Sequence, residues 1–508
     1  MKSHTLRPYL SSEKLAKPDE LAYKLATLAC SKVQPTPEAV QMVKNRIIDN
    51  TAVAIAALND RPVIIAREMA LAHPARNSQR GGSPIIGVDA SDSLVSPEWA
   101  AWANGTAVRQ LDFHDTFLAR DYSHPADNIP PLLAVAQSRL LSGEALISAI
   151  LVAYEVQVAL VKAISLHQHA IDHIAHLGVS VAAGLGKLLN LDHEVIYQAI
   201  QQALHVTVTT RQSRKGQISS WKAYAPAHAG KLAIEAIDRC MRGEGAPSPI
   251  YEGEDSVLAQ VLDGKDARYE IFLPEPNEPL LAILETYTKE HSAEYQAQAL
   301  IDLAFEIKAQ LTDLSSIETI VIHTSHHTHK VIGTGSGDPE KFDPHASRET
   351  LDHSIMYIFA VALEDGAWHH ITSYTPERTN KPSTIALWKK ISTCEDPKWT
   401  EAYHAPDPKE KAFGGSVVVT LKDGTVHHFE KRIANAHPNG KRPFIYENYA
   451  HKFKTLTTDR LTKETQDLFL TTVSRLEDLT SDQLLALNVS IPKATLQSSG
   501  TAEKGLFQ

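Results

Sequence analysis

The segment 111–130, LDFHDTFLARDYSHPADNIP, concentrates side chains that can transfer protons. Its titratable and hydroxyl side chains are Asp112, His114, Asp115, Thr116, Arg120, Asp121, His124 and Asp127. A core helix could not bury so many polar groups without partners. Asp127 or Asn128 can cap a following helix, and Pro130 suits the first turn of that helix. We therefore predict that His124 and nearby carboxylates form an acid–base site in a loop ahead of a helix N-terminus.

Three further segments place basic residues ahead of predicted helices. These basic residues are His173, Arg214, Lys215, Lys222 and His291. The helix after Lys222 is predicted to begin near Pro226. Helix N-termini present unpaired N–H groups and partial positive charge, so they bind carboxylates and keep a nearby histidine neutral. If the four helix ends meet, they form a cationic pocket for a small polyanion, with bases inside it.

Each of these residues also has an ordinary structural explanation. A histidine near a helix start is commonly a capping or solvent-facing residue. Lys222 can lie along a helix surface, and Asp112 can pair with Arg109 or Arg120. The spacing alone leaves open whether the four segments converge.

Sites for metals and cofactors are less well supported. The tract 323–329, HTSHHTH, has histidines at irregular spacing and no accompanying carboxylate triad, so we interpret it as a solvated exit from a strand. The glycine-rich run 333–338 lacks the lysine of a phosphate-binding loop, and the sequence has no dinucleotide-binding fingerprint or nucleophile elbow. We therefore expect no metal and no cofactor.

The composition restricts the class of protein. The chain has 508 residues, 43% of them hydrophobic and 22% charged, with a net charge of −10, which argues against nucleic acid or an anionic membrane as partner. The three cysteines are far apart, which fits a reducing cytoplasm. The N-terminus resembles a polar lead-in more than a secretory signal, and no stretch is expected to span a bilayer.

The pattern of apolar residues predicts a mainly α protein. Helical spacing dominates from about residue 15 to residue 270, and two helices rich in small residues, 178–186 and 223–230, are placed near the centre of a bundle. The run IETIVIHTS then predicts a strand, and the alternating runs around 422–424 predict a hairpin. Helices return after residue 443. The smaller α+β part is thus either a separate domain or an insertion, with the site at the seam.

Four stretches, in this order, resemble the MmgE/PrpD family. They are LDFHDT…HPADN, SSWKAYAPAHAGK, KEHSAEYQAQALIDLA and DHSIMYIFAVALEDG. The resemblance implies a large all-helical domain plus a smaller α+β lid domain, and usually a homodimer. We accordingly expect helical residues 1–270, a lid at 271–440, a helical return at 441–493 and a disordered tail at 494–508.

The resemblance also implies functions for individual residues. Positions that act in the family's cis-aconitate-decarboxylating members fall on Asp112, Thr116, His124, Lys222 and Tyr357, and, with a different spacing, on His173. A histidine of those members is replaced by Glu294, and His291 stands three residues earlier. We expect His124, Asp112, Lys222, His173 and Tyr357 to be catalytic. We expect Thr116, Arg214, Lys215, His291 and Glu294 to bind substrate.

The implied reaction is elimination of water from 2-methylcitrate, a tricarboxylate, with His124 as principal acid–base residue and Asp112 orienting it. The changed residue at Glu294 favours dehydration over decarboxylation. Three alternatives stay open: another tricarboxylate reaction of the family, a metal-dependent hydrolase or lyase using the histidine tract, and a non-catalytic protein that binds a polyanion. The expected partners are the small tricarboxylate and a second copy of the chain, without nucleic acid or membrane.

Overall fold

The computed structural model describes residues 1–32, 34–76, 81–216, 218–500 and 505–506. About 52% of the chain is helical and the sheets are small, which confirms the predicted mainly α class. Within the described residues the α-helices are α1 (Leu21–Cys30), α2 (Pro37–Ala56), α3 (Arg61–Leu71), α4 (Pro97–Gln110), α5 (Ile129–Ser138), α6 (Gly143–Ala163), α7 (Ile174–Leu188), α8 (His193–Thr207), α9 (Trp221–Met241), α10 (Val257–Gln260), α11 (Gln298–Lys308), α12 (His326–Val331), α13 (Arg348–Leu351), α14 (Ile355–Asp365), α15 (Pro376–Thr379), α16 (Pro382–Trp388), α17 (Pro397–Tyr403), α18 (Tyr446–Thr457) and α19 (Lys463–Ser474). The strands are β1 (Lys2–Leu6), β2 (Phe117–Leu118), β3 (Tyr122–Ser123), β4 (Tyr269–Leu273), β5 (Ile317–Thr324), β6 (Ile391–Glu395), β7 (Gly415–Leu421) and β8 (Val426–Lys431).

One hydrophobic core unites α1–α10 with the late helices α18 and α19. Its members come from residues 6–283 and 444–496, and α18 packs directly on α2. A second core lies within residues 293–429. The boundaries 1–270, 271–440 and 441–493 stay a prediction.

Small residues let the central helices of the first core approach closely, as predicted. A Cβ atom on Gly178 of α7 would lie 2.6 Å from Thr207 Oγ1, and one on Gly186 would lie 2.5 Å from Ile196 Cγ1, both on α8. Gly105 of α4 similarly faces Ala227 of α9. These contacts leave no room for a larger side chain. They fix α7 and α9 beside the segments that enter the candidate site.

The second core packs α11 and α14 against a four-stranded sheet. The strand order is β6-β5-β7-β8, with β5 parallel to β6 and the other pairs antiparallel. The predicted strand IETIVIHTS is β5, and the predicted hairpin around Gly424 joins β7 to β8. The spacing of apolar residues also predicts one further helix over 349–363, but in the structure it is interrupted at 352–354, where α13 ends and α14 begins.

The N-terminus and the tail differ from expectation. The lead-in forms β1, which pairs antiparallel with β4, because Leu6 is buried in the first core opposite Tyr269. The tail 494–508 was expected to be disordered. Over 494–500 its backbone and serines bond to Arg67 and Glu68 of α3. Residues 501–504 and 507–508 lie outside the described residues.

Helix α6 corrects the expectation that no stretch is long enough to cross a bilayer. Its 21 residues have a mean hydropathy of 1.8 in their most apolar window, which satisfies the length and composition of a span. However, 83% of that window is buried inside the protein, where α6 packs against α7. A fully apolar helix in the centre of a large core has the same composition.

Candidate active site

The Asp112 carboxylate is the centre of a buried charge cluster. The chain leaves α4 and takes a positive φ of 49° at Asp112, a conformation that aspartate tolerates better than most residues. The carboxylate accepts from Arg109, one helical turn earlier, and from Lys289 Nζ at 2.6 Å, and it forms an ion pair with Lys222 Nζ at 3.2 Å. Burial alone would raise the pKa of Asp112, but these three cations outweigh it and hold the pKa well below its usual range.

Lys222 joins this cluster to the second core. Its Nζ lies 2.8 and 2.9 Å from the two carboxylate oxygens of Asp352, in the break between α13 and α14. His353 contacts Asp352 and lies 3.3 Å from Lys222 Nζ. Burial and the nearby Lys222 lower the pKa of His353 to about 4. We call the part of the chain that builds the first core the first half, and the part that builds the second core the second half. The two halves therefore share one buried network of charges.

The helix that contains Lys222 begins earlier than predicted. The N–H groups of Lys222 and Ala223 donate to the carbonyls of Ser219 and Ser220, so α9 begins at Trp221 and not near Pro226. Pro226 lies inside the helix, where it removes one backbone hydrogen bond without ending it. Lys222 is thus the second residue of α9, and its side chain is buried.

His124 is held as a neutral imidazole in one tautomer. Its Nδ1 lies 2.9 Å from the Asp115 carbonyl, which can only accept, so Nδ1 has the proton. Its Nε2 lies 3.1 Å from Arg109 Nη2, which can only donate. Burial, followed by Arg109 and Lys289, lowers the pKa of His124 well below 6.5. The lone pair of Nε2 is available as a base once Arg109 turns to another partner.

The helix cap proposed after His124 is not formed by either predicted side chain. Asp127 pairs with His114 at 2.9 Å, and Asn128 donates to Gln157 and to the Pro125 carbonyl. A short 3-10 helix, Pro125–Asn128, leads into α5 instead. Pro130 does lie in the first turn of α5, as predicted.

His173 lies next to His124, with their ring centroids 5.5 Å apart. It is buried, and neither ring nitrogen has a hydrogen-bond partner within the described chain. Burial and the nearby Arg214 lower its pKa to about 3. Arg214 itself pairs with Asp172, with Nε 3.0 Å from Oδ2. Both ring nitrogens of His173 are therefore without a hydrogen-bond partner among the described residues, directly beside His124.

The pKa of the Glu294 carboxyl is shifted in the opposite direction from that of Asp112. Its backbone N–H donates to the Asp352 carbonyl at 3.1 Å, and its carboxylate accepts from the Gln296 N–H at 2.6 Å. Burial raises the pKa of Glu294 to about 7, although Lys289 opposes that rise. Near neutral pH this carboxyl can donate a proton, which Asp112 cannot.

Several of these groups line a cavity of about 30 Å³. From the first half it is lined by Arg109, Asp112, Thr116, Leu118, Tyr122, His124, Arg211 and Arg214. From the second half it is lined by Glu294, Gln296, His327, Val331 and His353. This volume holds about one or two water molecules. A larger ligand does not fit into this volume.

The cluster does not fit a divalent cation. Ligand atoms of Asp112, Asp352 and His353 lie within 4.8 Å of one another, as a metal site would need. However, Lys222 Nζ bonds to both carboxylates, and Lys289 bonds to Asp112, so ammonium groups already occupy that position. A metal there would meet strong repulsion.

The histidine tract 323–329 does not converge either. His326 pairs with Glu395, and His329 bonds to Thr393. His327 turns instead towards His167 and Tyr403. Part of the tract is helix α12, capped by Ser325, and not the predicted loop exit.

Two sequence models span most of the chain. Residues 19–270 match the MmgE/PrpD N-terminal domain, and residues 291–478 match the MmgE/PrpD C-terminal domain. The chain belongs to the MmgE/PrpD family. The predicted family is thereby confirmed.

Relatives in this family have two kinds of name. A mitochondrial 2-methylcitrate dehydratase of Yarrowia lipolytica is 28% identical over 67% of this chain and 66% of its own length, just under two thirds. A 2-methylcitrate dehydratase of Cupriavidus necator is 27% identical over 65% of this chain and 69% of its own. A cis-aconitate decarboxylase of Mus musculus is 25% identical over 82% of this chain and 83% of its own length.

Most predicted site residues of this MmgE/PrpD chain come together. Asp112, Thr116, His124, Arg214 and Glu294 line the cavity. Lys222 and His173 lie behind these residues, each in contact with one of them. The Thr116 hydroxyl donates to the Ser123 carbonyl, which ties β2 to β3 beside His124. All four predicted helix-entry segments therefore contribute to the site, the fourth through Glu294 and not through His291.

The structure does not bring three predicted residues to the cavity. Tyr357 lies inside the second core, packed on Trp388, and its hydroxyl donates to the Ser373 carbonyl. Lys215 is exposed to solvent. His291 pairs with Asp302 at 3.2 Å and lines a separate groove of about 520 Å³, because the following helix begins only at Gln298.

Several site residues were missed, and one signal could have found two of them. An Asp-His pair at or just ahead of the start of a helix occurs three times, as Asp172-His173, Asp192-His193 and Asp352-His353. Only the first of these pairs contributes a predicted site residue, His173. Lys289 stands within the quoted KEHS motif but has no spacing that marks it.

Proposed function

We propose that this protein eliminates water from 2-methylcitrate to give 2-methyl-cis-aconitate. The observation that supports this most is the pairing of a neutral histidine and a raised-pKa carboxyl at one cavity. His124 can take a proton, Glu294 can give one, and both line the same space as Arg109 and Arg214. The names of the fungal and bacterial relatives support the same substrate.

The proposed reaction assigns one proton transfer to each group. His124 Nε2 removes the proton from the carbon next to the hydroxyl-bearing carbon, and the electron pair of that C–H bond forms the C=C bond. The C–O bond breaks, and the Glu294 carboxyl protonates the departing hydroxide to water. Arg109 leaves His124 to bind a substrate carboxylate, while Lys222 and Lys289 stabilise the charge that develops.

We propose that the reaction is independent of metals. The support is the donor set: three cationic side chains already neutralise Asp112, and Lys222 binds Asp352. Activity that is unchanged by a chelator, in protein shown by elemental analysis to lack bound metal, is the expected result. Loss of activity on chelation, with recovery on adding a metal, would contradict it.

We further propose that residues of the second core act as a lid. The cavity of about 30 Å³ is too small for a tricarboxylate, and its wall is divided between the two halves. Substrate would enter when Asp352 and Glu294 move away from Lys222 and Asp112. We expect the working form to be a cytoplasmic homodimer without nucleic acid or membrane partner. Gel filtration with light scattering tests the dimer.

A substrate panel tests the function. The protein is incubated with 2-methylcitrate, citrate and cis-aconitate while the absorbance of unsaturated acids and the release of CO₂ are followed. Dehydration of 2-methylcitrate is expected, with His124→Ala slower by about 10²- to 10⁴-fold. CO₂ from cis-aconitate without turnover of 2-methylcitrate would favour the activity named for the mouse relative. Full activity in a folded His124→Ala variant would indicate that the site is elsewhere.

A further inference from the structure

Three arginines line the cavity, and two of them are neutralised by carboxylates. Arg109 pairs with Asp112, and Arg214 makes two bonds to Asp172. Arg211 has no ion pair among the described residues; its one side-chain hydrogen bond goes from Nε to the Tyr122 hydroxyl at 3.1 Å. Its two terminal nitrogens are therefore free to bind a ligand.

The position of Arg211 is fixed by its backbone. Its N–H donates to the Ala170 carbonyl at 2.7 Å, and the preceding residue forms a β-bridge with Ile171. Tyr122, which holds the guanidinium, belongs to β3, directly before His124. The guanidinium thus enters the cavity from one fixed direction, on the same wall as the proposed base.

The surroundings leave the charge of Arg211 uncompensated. Arg211 acts electrostatically on Asp121, whose oxygens accept from the backbone N–H groups of Tyr122 and Leu166. Burial raises the pKa of Asp121 to about 7, so it is partly neutral. His167 and His327, which feel the charge of Arg211, have lowered pKa values because of burial and add no negative charge.

We propose that Arg211 binds one carboxylate of the tricarboxylate substrate through its two terminal nitrogens, with Tyr122 holding it in place. Planar guanidinium groups bind carboxylates in this two-pronged manner, which a lysine cannot reproduce. Arg211 is then the cation in the cavity wall that requires no protein carboxylate to be displaced first. This inference rests on the proposed function, which supplies the substrate class.

Binding of tricarballylate tests the proposal. This tricarboxylate lacks a hydroxyl group, so it cannot lose water, and calorimetry measures its affinity without turnover. Arg211→Ala should weaken binding by about 10- to 100-fold, the usual range for a hydrogen-bonded charge. Arg211→Lys should be intermediate, and Tyr122→Phe should weaken binding less than Arg211→Ala. With 2-methylcitrate, Arg211→Ala should raise KM more than it lowers kcat, and added methylguanidinium should restore part of the affinity.

Controls separate the possible failures. Arg242→Ala, which removes an exposed guanidinium at the end of α9, should bind tricarballylate like the unchanged protein. If Arg211→Ala does not fold, Arg211→Gln keeps a donor for Tyr122 and tests the same charge. Wild-type affinity in a folded Arg211 variant, or no binding by the unchanged protein, overturns the proposal. Tight binding that depends on Arg211, without turnover of 2-methylcitrate, overturns the proposed function and leaves this inference standing.

Discussion

Two carboxyl groups near one cavity are tuned in opposite directions. Asp112 meets Arg109, Lys222 and Lys289, so its charged form is stabilised in spite of burial. Burial raises the pKa of Glu294 to about 7, and Lys289 and the backbone N–H donors only partly offset that rise, so its neutral form is retained up to about pH 7. Environments that push two carboxyls apart in this way mark a division between electrostatic and acid–base functions.

Replacing Glu294 by glutamine should remove an alkaline limb from the pH profile. A general acid must be protonated, so with a pKa of about 7 the activity should fall as pH rises through that value. His124 is already neutral well below pH 6.5, so it adds no limb near 6.5. Glu294→Gln should lower kcat by about 10²- to 10⁴-fold and flatten the fall above neutrality. The measurement is kcat/KM for the proposed substrate across neutral pH.

Glu155 provides the matched control for that experiment. Burial also raises its pKa to about 7, but it accepts from the Ala282 N–H in a different part of the molecule. Glu155→Gln should keep the alkaline limb. An unchanged limb in Glu294→Gln would exclude Glu294 as the acid.

The sequence predicted a neutral His124 for a different reason from the one observed. The expected cause was the dipole of the following helix, whereas the observed causes are burial and the nearby Arg109 and Lys289. Lys289 is 165 residues away along the chain, and nothing in its local pattern indicates the contact. Local spacing identified the reactive group but not the groups that tune it.

At the scale of elements, the site depends on where α9 and α14 begin. The sequence correctly places Lys222 near a helix start. It predicts that start near Pro226, whereas α9 begins at Trp221 and continues through Pro226. The interruption at 352–354 was not predicted, because the pattern of residues 349–363 is compatible with one continuous helix. That interruption exposes Asp352 to Lys222, 130 residues away. The periodicity of apolar residues gives no information about contacts between residues so far apart in the sequence.

A double-mutant cycle tests how strongly Lys222 and Asp352 join the two halves. Lys222→Met leaves Asp352 and Asp112 buried with fewer cations, so we expect the free energy of unfolding to fall by about 3–5 kcal/mol. Adding Asp352→Asn removes one uncompensated charge and should recover part of that loss. The coupling energy from urea unfolding should be about 1–3 kcal/mol.

The half-buried pair Lys231–Glu235 is the control for this cycle. It lies one turn apart on α9 with partly exposed side chains, so its coupling should be about 0.3–0.5 kcal/mol. Additive effects of Lys222→Met and Asp352→Asn would show that the two residues do not stabilise each other.

At the scale of the whole molecule, composition predicted the class but not the distribution of charge. The net charge of −10 gives no sign of a pocket with three arginines. The apolar composition of α6 has two explanations, a membrane span or a core helix, and only its packing against α7 separates them. The α+β part was recognisable from β5 and the β7–β8 hairpin, because those patterns are local.

Buried histidines should make the whole protein sensitive to mild acid. Eight described histidines have pKa values lowered well below 6.5, with burial the largest cause in each: His124, His167, His173, His176, His327, His353, His370 and His437. Below pH 6.5 the unfolded chain binds protons at these positions and the native protein does not. Stability should therefore rise with pH up to about 6.5.

Carboxyls with raised pKa values oppose this trend but are fewer. Burial raises the pKa of Asp121, Glu155, Glu252 and Glu294 to about 7. Burial also raises the pKa values of Glu20, Asp60 and Asp115. The native protein keeps these protons where the unfolded chain has lost them, so they lower stability as pH rises from about 4.5 to about 7. Because the eight histidines outnumber these seven carboxyls, the melting temperature measured by calorimetry should rise between about pH 5 and about pH 6.5. His176→Gln should reduce that slope, and the exposed His205→Gln should not. A melting temperature that is flat or falls over this range would contradict the prediction.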